Sequence, residues 1–161
     1  MTSSDAPTPA GAEQAGSDLH PMSSELVELG GLRFDVSFRA PAGATLRVEG
    51  RVGDGWHELL RFDDFVDVPH FHAPADGDAI MFDRAAHGDP MEWYIAQIRE
   101  HLPQWLTDSG YAEVIPTIDL EAVAAGAGRV RDAMVSCVPA GFTRVPGVGL
   151  QRAGEAPAAE G

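Results

Sequence analysis

Leu32-Arg33-Phe34-Asp35-Val36-Ser37-Phe38-Arg39 is the stretch that decides the fold class. Apolar and polar residues alternate through it, the period-2 pattern of a strand buried on one face and wet on the other. Gly30-Gly31 separates it from a short apolar opener, Leu26 to Leu29. Downstream, Ala40-Pro41-Ala42-Gly43 is a turn, and Leu46, Val48 and Val52 alternate with Arg47, Glu49 and Arg51. Gly53-Asp54-Gly55 is a strong hairpin signal. Trp56 to Phe65 follows, where the adjacent Leu59 and Leu60 blur the alternation and predict cover on both faces. After Pro69, His70 to Ala73 and Ala79 to Phe82 read as a last hairpin around Asp76-Gly77.

Beyond Phe82 the period changes from 2 to 3.6. Asp89-Pro90-Met91-Glu92 is a helix start, with Asp as N-cap, Pro at the first helical position and Glu three after the cap. Met91, Ile95, Ile98, Leu102 and Trp105 fall on one helical face, interrupted by Pro103, which should kink the helix. Gly110 is its stop. A second helix opens near Asp119 and carries Leu120, Val123, Ala127, Val130, Met134 and Cys137 on one stripe, until Pro139 and Gly141 end it. Gly126 and Gly128 each weaken that helix by roughly 1 kcal/mol relative to Ala.

Strands followed by helices predict an α+β fold, an antiparallel meander sheet of about five or six strands packed by two C-terminal helices. Residues 1–24 and 151–161 are rich in Ala, Gly, Pro, Ser and acids and poor in large apolar side chains. Neither stretch can bury enough surface to offset its ordering entropy, so both are expected to be disordered tails around a single domain, 25–150.

The formal net charge is −14, and all eleven cationic residues are Arg. Such a field repels nucleic acid and anionic membranes. Without Lys, Schiff-base and P-loop lysine chemistry is excluded. The single cysteine, Cys137, rules out a disulfide framework or a CxxC zinc site within the chain and reads as a buried core thiol. The N-terminus shows neither the basic nor the apolar region of a secretory leader, and no apolar run is long enough to span a bilayer, so a cytoplasmic location is expected.

Glu25 to Phe38, Glu58-Leu59-Leu60-Arg61-Phe62-Asp63-Asp64-Phe65, Pro69-His70-Phe71-His72, Asp89-Pro90-Met91-Glu92-Trp93 and Leu102-Pro103 occur in this order. The order resembles a small uncharacterised bacterial family, mainly actinobacterial, a domain of unknown function, over about residues 25–135. The resemblance implies architecture and carries no chemistry.

Chemistry concentrates in a histidine- and acid-rich centre that runs from His57 through Asp63, Asp64 and Asp67 to His70, His72, Asp83 and His87. On a strand, His70 and His72 point to the same face, so both imidazoles can meet one ion. Asp63, Asp67 or Asp83 would complete a two-histidine, one-carboxylate set for a divalent transition metal. The same pair on a wet strand is also read as plain polar surface, and position 64 is Asp where the cupin His-x-His signature needs Gly. Asp63 and Asp64, being adjacent on a strand, should face opposite ways and not share a substrate. No nucleophile elbow, dinucleotide loop or Walker motif is present. Trp93 and Tyr94, if both exposed, would form an aromatic patch of the kind that anchors partners; the alternative is a first helix covered on two sides.

Two functions follow. One is a non-catalytic, acidic accessory domain that binds an unidentified protein partner or forms a homodimer through its helices, with no cofactor required. The other is a metal-binding protein or metal-dependent enzyme built on His70, His72 and a neighbouring Asp.

Overall fold

The computed structural model describes residues 21–154. Six strands, β1 (Pro21–Leu29), β2 (Leu32–Arg39), β3 (Gly43–Val52), β4 (Gly55–Phe65), β5 (His70–His72) and β6 (Ile80–Met81), form one sheet in chain order. Every neighbouring pair is antiparallel, so the sheet is a meander. Then come α1 (Arg84–His87), α2 (Pro90–Asp108), a 3₁₀ turn (Ala112–Thr117) and α3 (Leu120–Ser136). A hairpin, β7 (Phe142–Val145) and β8 (Gly149–Arg152), closes the described chain. The α+β class expected from the sequence is the one observed.

The alternation in β2 sorts its side chains as expected. Phe34, Val36 and Phe38 are fully buried, as are Leu46, Val48, Leu60 and Phe62 on the neighbouring strands. Against this face pack Ile95, Ile98 and Leu102 of α2 and Val123, Ala127 and Val130 of α3. Each large apolar side chain removed from water contributes roughly 1.5–3 kcal/mol, which makes this layer the source of the fold's stability. Gly30 and Gly31 both have positive φ (57° and 93°), as a two-residue hairpin loop requires. A Cβ at Gly30 would also meet the carbonyl of Asp119, at the head of α3.

Three details depart from the sequence reading. Leu59 and Leu60 are both buried because β4 carries a bulge, with Val48 opposite Leu60 and Glu49 opposite Glu58. The extra residue re-aims Leu59 towards Leu32 and Val114, beside Gly50, so no second layer is needed to cover it. Strand β1 begins at Pro21, inside the stretch expected to be a tail, because it pairs with β2 as far as Arg39. Strand β8 runs on to Arg152, past the expected domain end. The remaining tail residues, 1–20 and 155–161, lie outside the described residues.

The helix boundaries follow their caps. The carboxylate of Asp89 accepts from Met91 N and that of Asp119 from Ala122 N. Helix α2 loses helical geometry at His101 (φ −132°, ψ 16°), two residues before Pro103. The proline has no N–H to donate and its ring crowds the preceding turn. Beyond this kink the buried position is Leu106, and Trp105 is only partly buried. No helix among the described residues is long and apolar enough to cross a membrane.

Candidate metal site

Strand alternation places Phe62 and Phe71 on the helix side of the sheet and Asp63, His70 and His72 on the other. Phe62 and Phe71 face each other across β4 and β5 and pack among Tyr94 and Trp105. Asp63 lies opposite His70, and Arg61 opposite His72. The outer face therefore gathers one carboxylate and two imidazoles within two short segments, with donor atoms all within 4.8 Å of one another.

Backbone carbonyls hold both rings. His70 Nδ1 lies 2.8 Å from the carbonyl of Val68, and His72 Nδ1 2.8 Å from that of Gly77. A carbonyl only accepts, so the hydrogen-bond network assigns the N–H of each neutral ring to Nδ1 and leaves the lone pair on Nε2. Both Nε2 atoms point at the same oxygen, Asp63 Oδ2, at 2.9 Å from His70 and 3.7 Å from His72. The other oxygen, Oδ1, accepts from Thr45 Oγ1 at 2.8 Å, which fixes the carboxylate's orientation. Three acceptors thus converge with no intrinsic donor between them, and a cation must join them. One candidate is a proton: the hydrogen bond to Asp63 raises the pKa of His70, opposed by burial. The other is a metal. Ligands about 2.1 Å from one ion stand roughly 3.0–3.4 Å apart at octahedral or tetrahedral angles, a range bracketed by the two distances to Asp63 Oδ2, 2.9 and 3.7 Å.

The framework beneath is tied together by a buried hydroxyl. Tyr94, fully buried on α2, shares its hydroxyl hydrogen between the carbonyls of Asp63 and His70, each 3.1 Å away. It thereby ties β4 to β5 directly under the cluster. Burial pushes its phenol well above the ordinary range, so it serves as a neutral donor. Asp63 is nearly fully buried, whereas the His70 and His72 side chains are each 18% exposed, so the cluster is open on its histidine side.

The other residues marked in the sequence are placed elsewhere. Asp67 stands on the loop after β4 in a two-pronged pair with Arg152, at 2.9 and 3.1 Å, so it is not a ligand of this cluster. That pair holds its carboxyl below the usual range. Asp83 caps α1 through Ala86 N. His57 is exposed, and His87 stacks on Trp93 at 4.6 Å. The aromatic patch expected at Trp93 and Tyr94 does not form. Tyr94 sits on the buried stripe, three residues after Met91 and four before Ile98, a spacing that could have marked it as core. Trp93 is half-buried against Phe71 and Phe82.

Asp64 faces the other way, as alternation requires. It is completely buried on the helix side and paired with Arg144 at 2.7 Å. Arg144 also donates to the carbonyl of Met134. Nearby, Asp89, Glu92, Arg131 and Arg144 line a cleft of roughly 310 Å³ between α2, α3 and the β7–β8 hairpin. The sheet separates this cleft from the Asp63 cluster. Cys137 lies within the field of Arg144, yet burial dominates and its thiol is pushed up to about 11, as befits a core thiol.

Residues 26–134 match the model of a domain of unknown function, DUF7700. The chain belongs to this family. No curated protein and no solved structure matches it. The DUF7700 region contains Asp63, His70, His72, Thr45 and Tyr94, whereas Arg144 and the β7–β8 hairpin lie beyond it.

Proposed function

We propose that this DUF7700 protein binds a divalent transition metal through Asp63 Oδ2, His70 Nε2 and His72 Nε2, with the remaining coordination positions open towards solvent. One observation carries the reading. Both rings are turned by carbonyls at Nδ1 so that two lone pairs meet one carboxylate oxygen. Metal-binding histidines typically donate their other ring N–H to just such acceptors. Two imidazoles and one carboxylate suit zinc, iron, manganese or copper, and three protein ligands leave room for water or substrate.

The test is titration of chelator-stripped protein with Co(II), followed by visible absorption and calorimetry. One equivalent should bind with a d–d spectrum of nitrogen and oxygen ligation. His72→Gln, which removes the more loosely held ligand, should weaken binding at least tenfold while far-UV circular dichroism stays unchanged. Equal, weak binding by wild type and folded His72→Gln would refute the metal site.

A second reading, a non-catalytic acidic domain that binds another protein, draws on Val68, Ile80 and Met81. These apolar side chains are about half exposed around the short edge strand β6. Met81→Glu should abolish any self-association seen by sedimentation if this edge is the contact, and leave it unchanged if it is not.

A further inference from the structure

The outer face of the sheet holds more than the three ligands. Across β2 to β5, Asp35, Arg47, Arg61 and His72 stand in one cross-strand row, and Ser37, Thr45, Asp63 and His70 in the next. Arg61 directly faces His72. Glu58 grips Arg61 through Nε at 2.8 Å and Nη2 at 3.0 Å and reaches Arg47 Nε at 3.4 Å. This clamp fixes the plane of the Arg61 guanidinium and leaves its Nη1 without a bond from Glu58. Arg39 adds a third guanidinium close enough to feel both others. Its pKa is lowered by burial first and by Arg47 and Arg61 next. At the end of the second row, Ser37 Oγ is buried with no hydrogen-bond partner among the described residues. With a divalent ion in place, the positive charge of the ion with Arg39, Arg47 and Arg61 still outweighs the carboxylates of Asp35, Glu49, Glu58 and Asp63. That holds locally even though the whole chain is strongly acidic, because exposed charges beyond roughly 10 Å are screened.

We propose that the group completing the metal's coordination is the oxyanion of a small molecule, a carboxylate or a phosphate, with one oxygen on the metal and another on the guanidinium of Arg61. The inference rests on the metal site argued above. A guanidinium presents paired donors in a plane that matches carboxylate and phosphate oxygens, and a pre-clamped one loses little freedom on binding. A neutral or cationic ligand would leave the positive charge that Glu58 and Asp63 do not offset on the metal and the arginines without a counter-charge.

Co(II)-loaded protein titrated separately with inorganic phosphate and with acetate tests this. At least one anion should shift the Co(II) spectrum saturably, and the stronger of the two names the class. Arg61→Gln should weaken that anion at least tenfold, and Arg61→Lys less, because it keeps the charge but loses the fork. Both variants should bind Co(II) within about threefold of wild type, by the same fold-to-energy scale. A Co(II) spectrum that ignores both anions, or responds equally in Arg61→Gln, would overturn the oxyanion assignment and leave the metal site standing. No Co(II) binding by wild type would overturn both.

Discussion

Gly126 and Gly128 lie two residues apart in α3, and replacing each by Ala should move stability in opposite directions. As helix residues they are alike, and Ala is favoured over Gly by about 1 kcal/mol at each. Tertiary surroundings break the symmetry. A Cβ at Gly128 meets nothing within 4 Å. A Cβ at Gly126 would sit 2.4 Å from Leu29 Cδ2, 3.1 Å from Cδ1 and 3.3 Å from Cγ. Carbon atoms prefer roughly 3.5–4.0 Å. Turning one methyl of Leu29 away does not clear the contact, since both methyls and the branch carbon crowd it and the residue is buried. Overpacking of this kind costs about 1–3 kcal/mol. Gly128→Ala should therefore gain about 0.5–1 kcal/mol, while Gly126→Ala ends between neutral and about 2 kcal/mol destabilised. Urea denaturation followed by circular dichroism measures both, and a gap of 1 kcal/mol corresponds to roughly 2–8 °C in thermal midpoint. In a Leu29→Ala background, which removes the atoms being struck, Gly126→Ala should become stabilising. Equal stabilisation by both single variants would refute the packing of α3 on β1 at this point.

The Asp64–Arg144 pair spans the sheet and the hairpin beyond the family region, and Arg144→Met leaves the fully buried Asp64 carboxylate alone. A loss of about 3–5 kcal/mol is expected, largely recovered in Arg144→Met/Asp64→Asn, as read from urea midpoints. Asp89 has its pKa raised, chiefly by burial and then by Asp64, so the folded state holds its proton more tightly than the unfolded chain does. The associated stability is present below the unfolded value, about 3.9, and is lost as pH rises through the folded one. Asp89→Asn keeps the cap acceptor for Met91 N and should thus stabilise the protein at pH 7 but not at pH 3, measured by denaturation at both. Tyr94→Phe removes the donor shared by the carbonyls of Asp63 and His70, and should cost about 1–2 kcal/mol in denaturation and weaken Co(II) binding severalfold in calorimetry.

Much of the fold was legible because its signals are local. Alternation in β2, the Gly30-Gly31 loop, and the Asp89 and Asp119 caps each need only a few neighbouring residues to be satisfied. The errors fell where a non-local contact decided the outcome. Leu59 joined the core through a bulge that pairing with β3 imposes. Pro21 to Ser24 became strand because β2 offered unpaired backbone to bind. Between an exposed and a covered Tyr94, which the sequence left open, α2 chose the second by burying a stripe wide enough to take two adjacent residues.

The sequence by itself determined that His70 and His72 share a face and that Asp63 and Asp64 do not, since both follow from the two-residue period of a strand. It could not choose among Asp63, Asp67 and Asp83 as the third ligand, because all three lie within a short span of the histidines. The tertiary structure brings Asp63, and not Asp67 or Asp83, to the two histidines. Antiparallel pairing of β4 with β5 sets it directly opposite His70, while Arg152 claims Asp67 and the first turn of α1 claims Asp83. Ring orientation was decided at the same level. It depends on the carbonyls of Val68 and Gly77, backbone atoms whose positions follow from the path of the loops and from no property of the residues themselves.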